Sequence, residues 1–159
     1  MKVSQEGNTV ILEDIKHFNP KHIFECGQCF RWIKQEDDSY TGVAMGKVIN
    51  VKQDGNKIYL DNTTKEDFDN IWYDYFDLGR DYEEMVNTLK VMDEYLEKAT
   101  EFGEGIRILK QDGWEMLISF IISANNRIPM IQRAINNLSK NYGTYIGEYK
   151  GQEYYAFPT

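Results

Sequence analysis

The sequence predicts an α+β fold in which an antiparallel β-sheet is followed by helices. In the first sixty residues, short β-branched and aromatic runs alternate with turn residues, a pattern typical of an antiparallel meander. From residue 63 the apolar residues recur with helical spacing instead. Because Gly103 and Gly105 interrupt this helical part, we expect one unit at residues 1–104 and the start of a helical unit at residues 105–159.

The sheet is predicted from five runs and from the turns that separate them. The runs lie at residues 9–12, 29–33, 40–45, 47–51 and 57–60, with turns at residues 37–39, 46 and 54–55. Between the first two runs, Asn19 has the residue type of a helix N-cap, and Pro20 suits the first helical position. A short helix should therefore begin at Pro20 and stop at Gly27, the residue type that commonly follows a helix.

Three further helices are predicted between residues 64 and 100. Thr64 and Asp67 have the spacing of a capping box, although the last member is Asp rather than Glu or Gln. The helix that follows them has an apolar face made of Phe68, Ile71, Trp72 and Tyr75. Residues 81–86 and 92–100 have the composition of two more helices, and they carry much of the acidic charge of the chain.

Residues 113–138 are predicted to form two core helices joined by a polar junction. The first helix has a wide apolar face made of Trp114, Leu117, Ile118, Ile121 and Ile122. The second opens with Pro129, and its apolar face consists of Ile131, Ala134, Ile135 and Leu138. The junction, Asn125-Asn126-Arg127, combines exposed amides with a cation and is the first candidate functional site. The alternative is an ordinary polar turn between helices.

Charge is distributed unevenly along this chain of 159 residues, whose net charge is −8. Residues 61–104 carry a net charge of −10, whereas residues 105–159 carry +2. We interpret the acidic segment as a solvated surface turned away from any polyanion, so the negative total does not exclude a DNA-binding protein. The candidates for phosphate contacts are Arg107, Lys110, Arg127, Arg133 and Lys140. They predict weak, salt-sensitive binding with about two to four phosphate contacts.

The composition also limits the cellular setting. No apolar run reaches the ~18 residues of a membrane span, and the first residues lack the apolar core of a signal peptide. Two cysteines without a secretion signal indicate a reducing compartment. We therefore expect a cytoplasmic monomer, associated with the nucleoid if the source is prokaryotic, that uses no membrane, metal or cofactor.

Two alternatives depend on the cysteines. Cys26 and Cys29 have the spacing of a redox pair, and together with His17 and His22 they suggest a zinc site. A redox motif normally lies between a strand of a parallel sheet and a helix, whereas the surrounding residues here predict an antiparallel meander. The Asn19-Pro20 break separates the two histidines, and the strand prediction needs Cys29. Both alternatives are therefore disfavoured.

Several short motifs resemble one family. Cys26-Gly-Gln-Cys-Phe-Arg-Trp32 resembles the Gly-Gln-x-Phe-Arg-Trp signature of the 8-oxoguanine DNA glycosylase/AP lyase family. Residues 105–112 and 120–128 are similar to the next two blocks of that family, in the same order and at similar spacing. Tyr75-Phe-Asp-Leu78 and Tyr155-Ala-Phe-Pro158 match further landmarks. The resemblance covers nearly the whole chain, and several motifs in order are more specific than any single one.

The resemblance implies both an architecture and a function. It implies a TBP-like N-terminal sheet domain, followed by the first helices of an all-α helix-hairpin-helix glycosylase domain. The family flips a damaged guanine out of duplex DNA and cuts its glycosidic bond, so the implied partner is double-stranded DNA containing 8-oxoguanine. The residue matching Gly27 presents its carbonyl to the proton that oxidation adds at N7 of guanine. The residue matching Asn125 fills the vacated space and contacts the orphaned cytosine.

The chain also departs from the family pattern. The family places an arginine that grips the orphaned cytosine where this chain has Met130, so we expect weaker discrimination of the opposite base. The alternative is that Met130 packs in the core in the first turn of its helix. Asn126 and Arg127 complete the implied DNA contacts. The family's catalytic lysine and aspartate lie downstream of the block that matches Tyr155–Pro158, and the resemblance implies no catalytic residue in this chain.

These departures lead to one expectation and two alternatives. We expect the recognition half of a base-excision-repair glycosylase/lyase that is inactive alone and that needs the C-terminal half of the same protein. One alternative is a stand-alone DNA-binding or partner-docking module without catalysis. The other is a small redox or zinc protein that uses Cys26 and Cys29.

Overall fold

The computed structural model describes all 159 residues and has eight strands and seven helices. The strands are β1 (Lys2–Glu6), β2 (Thr9–Glu13), β3 (Trp32–Lys34), β4 (Tyr40–Ala44), β5 (Lys47–Asp54), β6 (Lys57–Asp61), β7 (Tyr145–Tyr149) and β8 (Gln152–Tyr155). The helices are α1 (Pro20–Phe24), α2 (Lys65–Asp67), α3 (Tyr73–Tyr75), α4 (Tyr82–Lys90), α5 (Glu94–Phe102), α6 (Gly113–Ser123) and α7 (Ile128–Tyr142). A π-helical segment, Phe68–Trp72, joins α2 to α3. The α+β prediction is confirmed.

The first six strands form one antiparallel sheet in the order β1-β2-β6-β5-β4-β3. The predicted strands near residues 9–12, 40–45, 47–51 and 57–60 are all present. Two details of the prediction are wrong. The helix that begins at Pro20 ends at Phe24, not at Gly27, and β3 begins at Trp32, not at Cys29. Residues 26–31 form a loop instead, in which the Gln28 side chain donates to the carbonyl of Arg107 and accepts from the N–H of Leu109.

One face of this sheet and the helices around it enclose the hydrophobic core. Eighteen buried residues form the core cluster, with Trp72, Phe76 and Ile58 among those fully buried. Trp32 stacks on Phe24 at 3.9 Å between ring centroids. Gly42 lies opposite Trp32 in the strand register, and a Cβ there would come within 2.3 Å of the indole ring. Glycine at this position therefore lets the Trp32 ring lie flat over β4.

Side-chain caps set the starts of the helices in the acidic region. Thr64 accepts a hydrogen bond from the backbone N–H of Asp67, so the predicted cap is confirmed. Asp93 accepts from the N–H groups of Tyr95 and Leu96, and α5 accordingly begins at Glu94, two residues later than predicted. None of the residues of α5 is buried, which agrees with a solvated acidic surface.

An extended segment, residues 106–112, runs from the acidic helices to α6 without regular secondary structure. Its Arg107 is buried and donates to three carbonyls, those of Lys16, His17 and Asp77. Lys110 N–H donates to the carbonyl of Tyr75. The extended segment thus packs against residues 1–104, which we call the sheet region, although it lies beyond the boundary expected at residue 104. That boundary stays a prediction.

The helices α6 and α7 confirm the predicted elements but not the predicted burial of the first. In α7, Ile131 and Ile135 are buried. In α6 the only buried residue is Ser119, whereas Trp114, Leu117 and Ile121 are at least half exposed. The expectation of two core helices is therefore wrong for α6, because nothing in these 159 residues covers its apolar face.

A β-hairpin follows α7 and was not expected from the sequence. Its strands β7 and β8 are joined by a two-residue turn, Lys150-Gly151, in which both residues have positive φ. Such turns match the natural twist of paired strands. The hairpin is fastened to the sheet region because Tyr149 donates to the Asp61 carboxylate at 2.6 Å. None of the helices combines the length and the apolar character that crossing a membrane requires.

Candidate functional site

One candidate site in the structure is a cavity of about 360 Å³ between the sheet region and α6. Its walls are the loop 27–32, residues 43–45 at the end of β4, Tyr75, the extended segment from residue 108 to residue 112, and one side of α6 from Glu115 to Ser123. Most of the lining is apolar, and none of the lining residues is a lysine. A mostly apolar concave site with a few polar groups is the usual form of a small-molecule or base pocket.

Gly27 lies in the wall of this cavity and is exposed. Its φ of +86° belongs to the left-handed region that glycine adopts without strain. Neither its N–H nor its carbonyl takes part in any hydrogen bond of the structure. Nothing lies within 4 Å of the place where a Cβ would be. Gly27 therefore offers an unpaired backbone acceptor with open space around it.

Two charged side chains close the cavity next to Gly27. Arg31 on the loop and Glu115 in the first turn of α6 approach to 3.8 Å between Nη1 and Oε2. Burial raises the pKa of the Glu115 carboxyl and lowers that of the Arg31 guanidinium, and each partner's charge opposes the shift of the other. Arg31 Nη2 also donates to the carbonyl of Tyr155, so this residue joins the loop, α6 and the terminal hairpin.

The second candidate site is the junction between α6 and α7, which begins two residues after Ser123 in the cavity wall. Asn125 is exposed, has a φ of +52°, and makes no side-chain hydrogen bond. The neighbouring Asn126 is occupied, because its amide donates to the carbonyl of Ile122 and accepts from the N–H of Arg127. Only Asn125 therefore has a free amide, while Asn126 shapes the turn. The roles implied for both stay predictions.

Met130 lies in the first turn of α7 and is 53% exposed. The sequence left open that Met130 serves as core packing, and this exposure rejects that interpretation. The core-facing positions belong instead to Ile131 and Ile135. Arg127 and Met130 follow Asn125 by two and five residues, and all three residues are exposed.

The predicted basic surface is smaller in the structure than in the sequence. Arg107 is buried against three carbonyls, and Lys110 pairs with Asp74 and Asp77. Both residues are therefore engaged within the protein, which corrects their assignment as phosphate contacts. The three that are exposed and form no ion pair are Arg127, Arg133 and Lys140, all on α7 or at its start.

The cysteine and histidine residues do not form a reactive site. Burial raises the pKa of the Cys29 thiol, which opposes formation of the thiolate that redox chemistry needs. His22 has its Nδ1 within 2.6 Å of the carbonyl of Glu104. No group of three His, Cys, Asp or Glu residues has the arrangement of a metal site. The redox and zinc alternatives therefore have no support in the geometry.

Sequence reasoning missed Gln28, Arg31 and Glu115. A signal existed for Glu115, since it is the single acidic residue within an otherwise apolar helix of eleven residues. Gln28 and Arg31 lie within the stretch that resembles the Gly-Gln-x-Phe-Arg-Trp signature, which was an available signal for both. Their importance depends on partners about 80 or more residues away, which spacing along the chain does not reveal.

Comparison with known proteins gives consistent results. Residues 10–117 match the family described as "8-oxoguanine DNA glycosylase, N-terminal domain". The chain is 32% identical over 152 residues to the N-glycosylase/DNA lyase of Saccharomyces cerevisiae, with 87% of this chain and 40% of the yeast protein covered.

Two solved structures cover nearly the whole chain. One is MBOgg1 in complex with a low-affinity DNA ligand, with 54% identity and a TM-score of 0.95 over 99% of this chain. The other is the 8-oxoguanine glycosylase/lyase of Clostridium acetobutylicum with double-stranded DNA containing cytosine opposite 8-oxoG. It has 50% identity and a TM-score of 0.96 over 100% of this chain. The chain spans 54% of each solved relative.

Proposed function

This chain belongs to the 8-oxoguanine DNA glycosylase family, and from that premise we propose that it is the DNA- and lesion-recognition part of a base-excision-repair glycosylase/lyase. One observation carries the proposal. A single cavity is bordered by the unpaired carbonyl of Gly27 and by the helix that leads to the free amide of Asn125. These two groups are suited to the two halves of a separated base pair, the lesion and its orphaned partner.

Gly27 reads the lesion through its backbone. Guanine has a bare acceptor at N7, whereas 8-oxoguanine has an N7–H donor. A carbonyl oxygen attracts the donor and repels the acceptor, so one free carbonyl separates the two bases. The open space at the Gly27 Cα lets a planar base approach the backbone closely.

Asn125 acts on the other strand. Flipping a nucleotide costs a few kcal/mol of stacking and pairing, and a side chain that enters the vacated space offsets part of that cost. The Asn125 amide has two donors and an acceptor for the edge of the orphaned base. Arg127 supplies a nearby cation for the phosphate backbone, and Asn126 holds the turn in shape.

A second, helical half of the protein packs against the exposed face of α6. Trp114, Leu117 and Phe120 leave a large apolar surface in contact with water, and soluble proteins rarely retain such a surface uncovered. The relatives are about twice as long as this chain. The second half would cover this face and supply the remaining walls of the base pocket.

Catalysis also belongs to that second half. Schiff-base chemistry needs a lysine amine at the sugar carbon, and none lines the cavity. After Tyr142 the only lysine is Lys150, which lies in the turn of the terminal hairpin beside the ring of Tyr149. The 159 residues alone therefore bind DNA without cutting it, and the complete protein works in the cytoplasm on chromosomal DNA.

Two measurements on the 159-residue chain test the proposal. Fluorescence anisotropy should give tighter binding to a duplex with 8-oxoguanine opposite cytosine than to the matched guanine duplex. The preference should decrease in Asn125→Gly, which keeps the backbone conformation and removes the amide. Borohydride should trap no covalent complex. Equal affinity for both duplexes, or a trapped complex mapped to any lysine of this chain, would refute the proposal.

A stand-alone docking module is the second candidate, and the exposed α6 face is the observation that favours it. The two functions separate in the variant Ile121→Ser, which makes the apolar face more polar at an exposed residue that does not line the cavity. For the recognition half, the preference for 8-oxoguanine survives in this variant. For a docking module without lesion recognition, the wild-type chain already shows no such preference.

A further inference from the structure

The proposed function requires the Gly27 carbonyl to point in a defined direction, yet Gly27 itself makes few contacts that would fix it. It lies in a loop after α1, nothing lies within 4 Å of its Cβ position, and its own N–H and carbonyl make no hydrogen bond. A free glycine samples a wide range of backbone angles. The direction of its carbonyl must therefore be fixed by its neighbours.

The adjacent residue, Gln28, is held by its whole side-chain amide. Nε2 donates to the carbonyl of Ile23 at 2.9 Å and to the carbonyl of Arg107 at 2.8 Å. Oε1 accepts from the N–H of Leu109 at 3.0 Å. Both amide protons and the amide oxygen are thus used, and they connect the end of α1 to the extended segment.

The backbone of Gln28 is held as well. Gln111 donates from Nε2 to the Gln28 carbonyl at 2.6 Å, which fixes the peptide group that follows Gln28. Gln111 directly precedes Asp112, the N-cap of α6. The same contact therefore ties the Gly27 loop to the helix that leads to Asn125.

The support behind these amides is itself rigid. Arg107, whose carbonyl receives Gln28, has its guanidinium bonded to three carbonyls of the sheet region. Lys110 N–H donates to the Tyr75 carbonyl at 2.9 Å, one residue before Gln111. The two glutamines thus transmit the position of the core to the loop.

We propose that Gln28 and Gln111 are positioning residues that set the direction of the Gly27 carbonyl and thereby the discrimination of 8-oxoguanine from guanine. This inference depends on the function proposed above. The side-chain amides of Gln28 and Gln111 are bonded to backbone groups, and we assign their effect to the direction of the Gly27 carbonyl. Gln111 is the simpler residue to test, because its side chain makes one hydrogen bond whereas that of Gln28 makes three.

The test uses the full-length gene product and three duplexes. The first contains 8-oxoguanine and the second guanine, each with a 2′-fluoro sugar that resists cleavage, and the third contains a tetrahydrofuran abasic analogue. The abasic duplex has no base for Gly27 to read, so it reports on DNA binding and on the remaining architecture. The quantity of interest is the ratio of affinities for 8-oxoguanine and guanine.

Gln111→Glu and Gln111→Lys form the decisive pair, because both have reach similar to glutamine and only lysine retains an N–H donor. In Gln111→Glu the ratio should fall on the order of tenfold, the effect of one misdirected hydrogen bond. In Gln111→Lys the ratio should stay near the wild-type value, since its ammonium group still donates to the Gln28 carbonyl. Affinity for the abasic duplex should change less than about twofold in Gln111→Glu.

Gln28→Glu and a control complete the design. Gln28→Glu should lower the ratio further, because its carboxylate faces the carbonyls of Ile23 and Arg107. Gln35→Glu removes a comparable amide bond, to the Ile33 carbonyl in a turn away from the cavity, and should leave the ratio unchanged.

The outcomes distinguish the proposed function from the positioning role of Gln28 and Gln111. A wild-type ratio of one would refute the proposed function itself. A wild-type preference that persists in both glutamate variants would overturn only the positioning role. A parallel loss of ratio and of abasic affinity would also overturn it, since general structural damage lowers both.

Discussion

The sheet region and α6 bury their apolar side chains to opposite extents. In the sheet region, Trp72 is fully buried and its indole N–H donates to Thr63 at 2.8 Å. In α6, Phe120 is 73% exposed although most residues of this helix are apolar. Both regions have regular apolar patterns in the sequence. The pattern therefore indicates which face of an element is apolar, but it does not say what covers that face.

The contrast assigns different functions to similar residues. A buried apolar side chain contributes to the stability of this chain, because folding removes it from water. An exposed one contributes nothing to that stability and is available to another surface. Substitutions in the sheet region should therefore change the stability of the chain, whereas substitutions on the exposed face of α6 should change its assembly with another surface.

The largest effect is expected from Trp72→Ala compared with Phe120→Ala. Trp72→Ala should lower the free energy of unfolding by about 3–5 kcal/mol, since it leaves a large cavity and an unpaired Thr63 hydroxyl. Phe120→Ala should change the free energy by less than about 0.5 kcal/mol. Urea unfolding followed by tryptophan fluorescence measures both. Similar losses in the two variants would mean that α6 is buried in solution through self-association, which sedimentation would reveal.

The next effect concerns the exposed start of α7. Met130→Arg should sharpen the preference for cytosine opposite 8-oxoguanine by roughly 1–3 kcal/mol, because arginine adds a fork of donors that methionine lacks. The wild-type protein should excise the lesion at similar rates from all four pairings. Excision rates of the full-length gene product measure this. Asn137→Arg adds the same charge farther along α7 and should leave the preference unchanged.

A smaller effect is expected for the salt dependence of DNA binding. Three exposed cations without an ion pair lie on α7 or at its start, and from them we expect about two to four phosphate contacts. Arg127→Ala should reduce the slope of log affinity against log salt by about 0.9. Lys110→Ala should leave the slope unchanged, because Lys110 is paired with Asp74 and Asp77. A larger loss in Lys110→Ala would show that its ion pairs open on DNA.

The smallest effect is a pH dependence in the sheet region. Hydrogen bonds from Ser39, followed by Lys52, lower the pKa of Asp37 to about 2. Because the pKa is lowered in the folded state, this stabilisation is present at neutral pH and is lost as pH falls from about 4 to 2. Asp37→Asn should cost less than about 1 kcal/mol at pH 7, since the site is half exposed, and almost nothing near pH 2. Asp54→Asn is the control, because Asp54 is exposed and its side chain makes no hydrogen bond.

Much of the fold followed from local patterns. β4, β5 and β6 follow runs of β-branched and aromatic residues between turn residues, and the caps at Asn19 and Thr64 were readable from residue type. The misses also have local causes. β1 is an edge strand with one apolar residue, Val3, and gives no strand signal. The terminal hairpin was missed although Lys150-Gly151 was a readable turn signal.

The candidate site was only partly predictable. The Asn125 junction was predicted from the polar break between two apolar helices, and Gly27 through the family resemblance. The exposure of α6 was not foreseen. Gln28 and Gln111 are polar residues of common types, and nothing in the sequence marks their contact. Their importance arises from carbonyl partners brought close by tertiary packing.

The bonds of Arg107 have a consequence for the order in which the protein is made. Its guanidinium joins carbonyls that lie 90 and 91 residues earlier in the chain. At typical synthesis rates, Arg107 follows Asp77 by about 1.5–6 s. During that interval the carbonyls of Lys16, His17 and Asp77 lack their partner, while the aromatic residues of the core have already left the ribosome's peptidyl-transferase centre. We expect the nascent sheet region to become resistant to protease only after the extended segment has emerged from the exit tunnel.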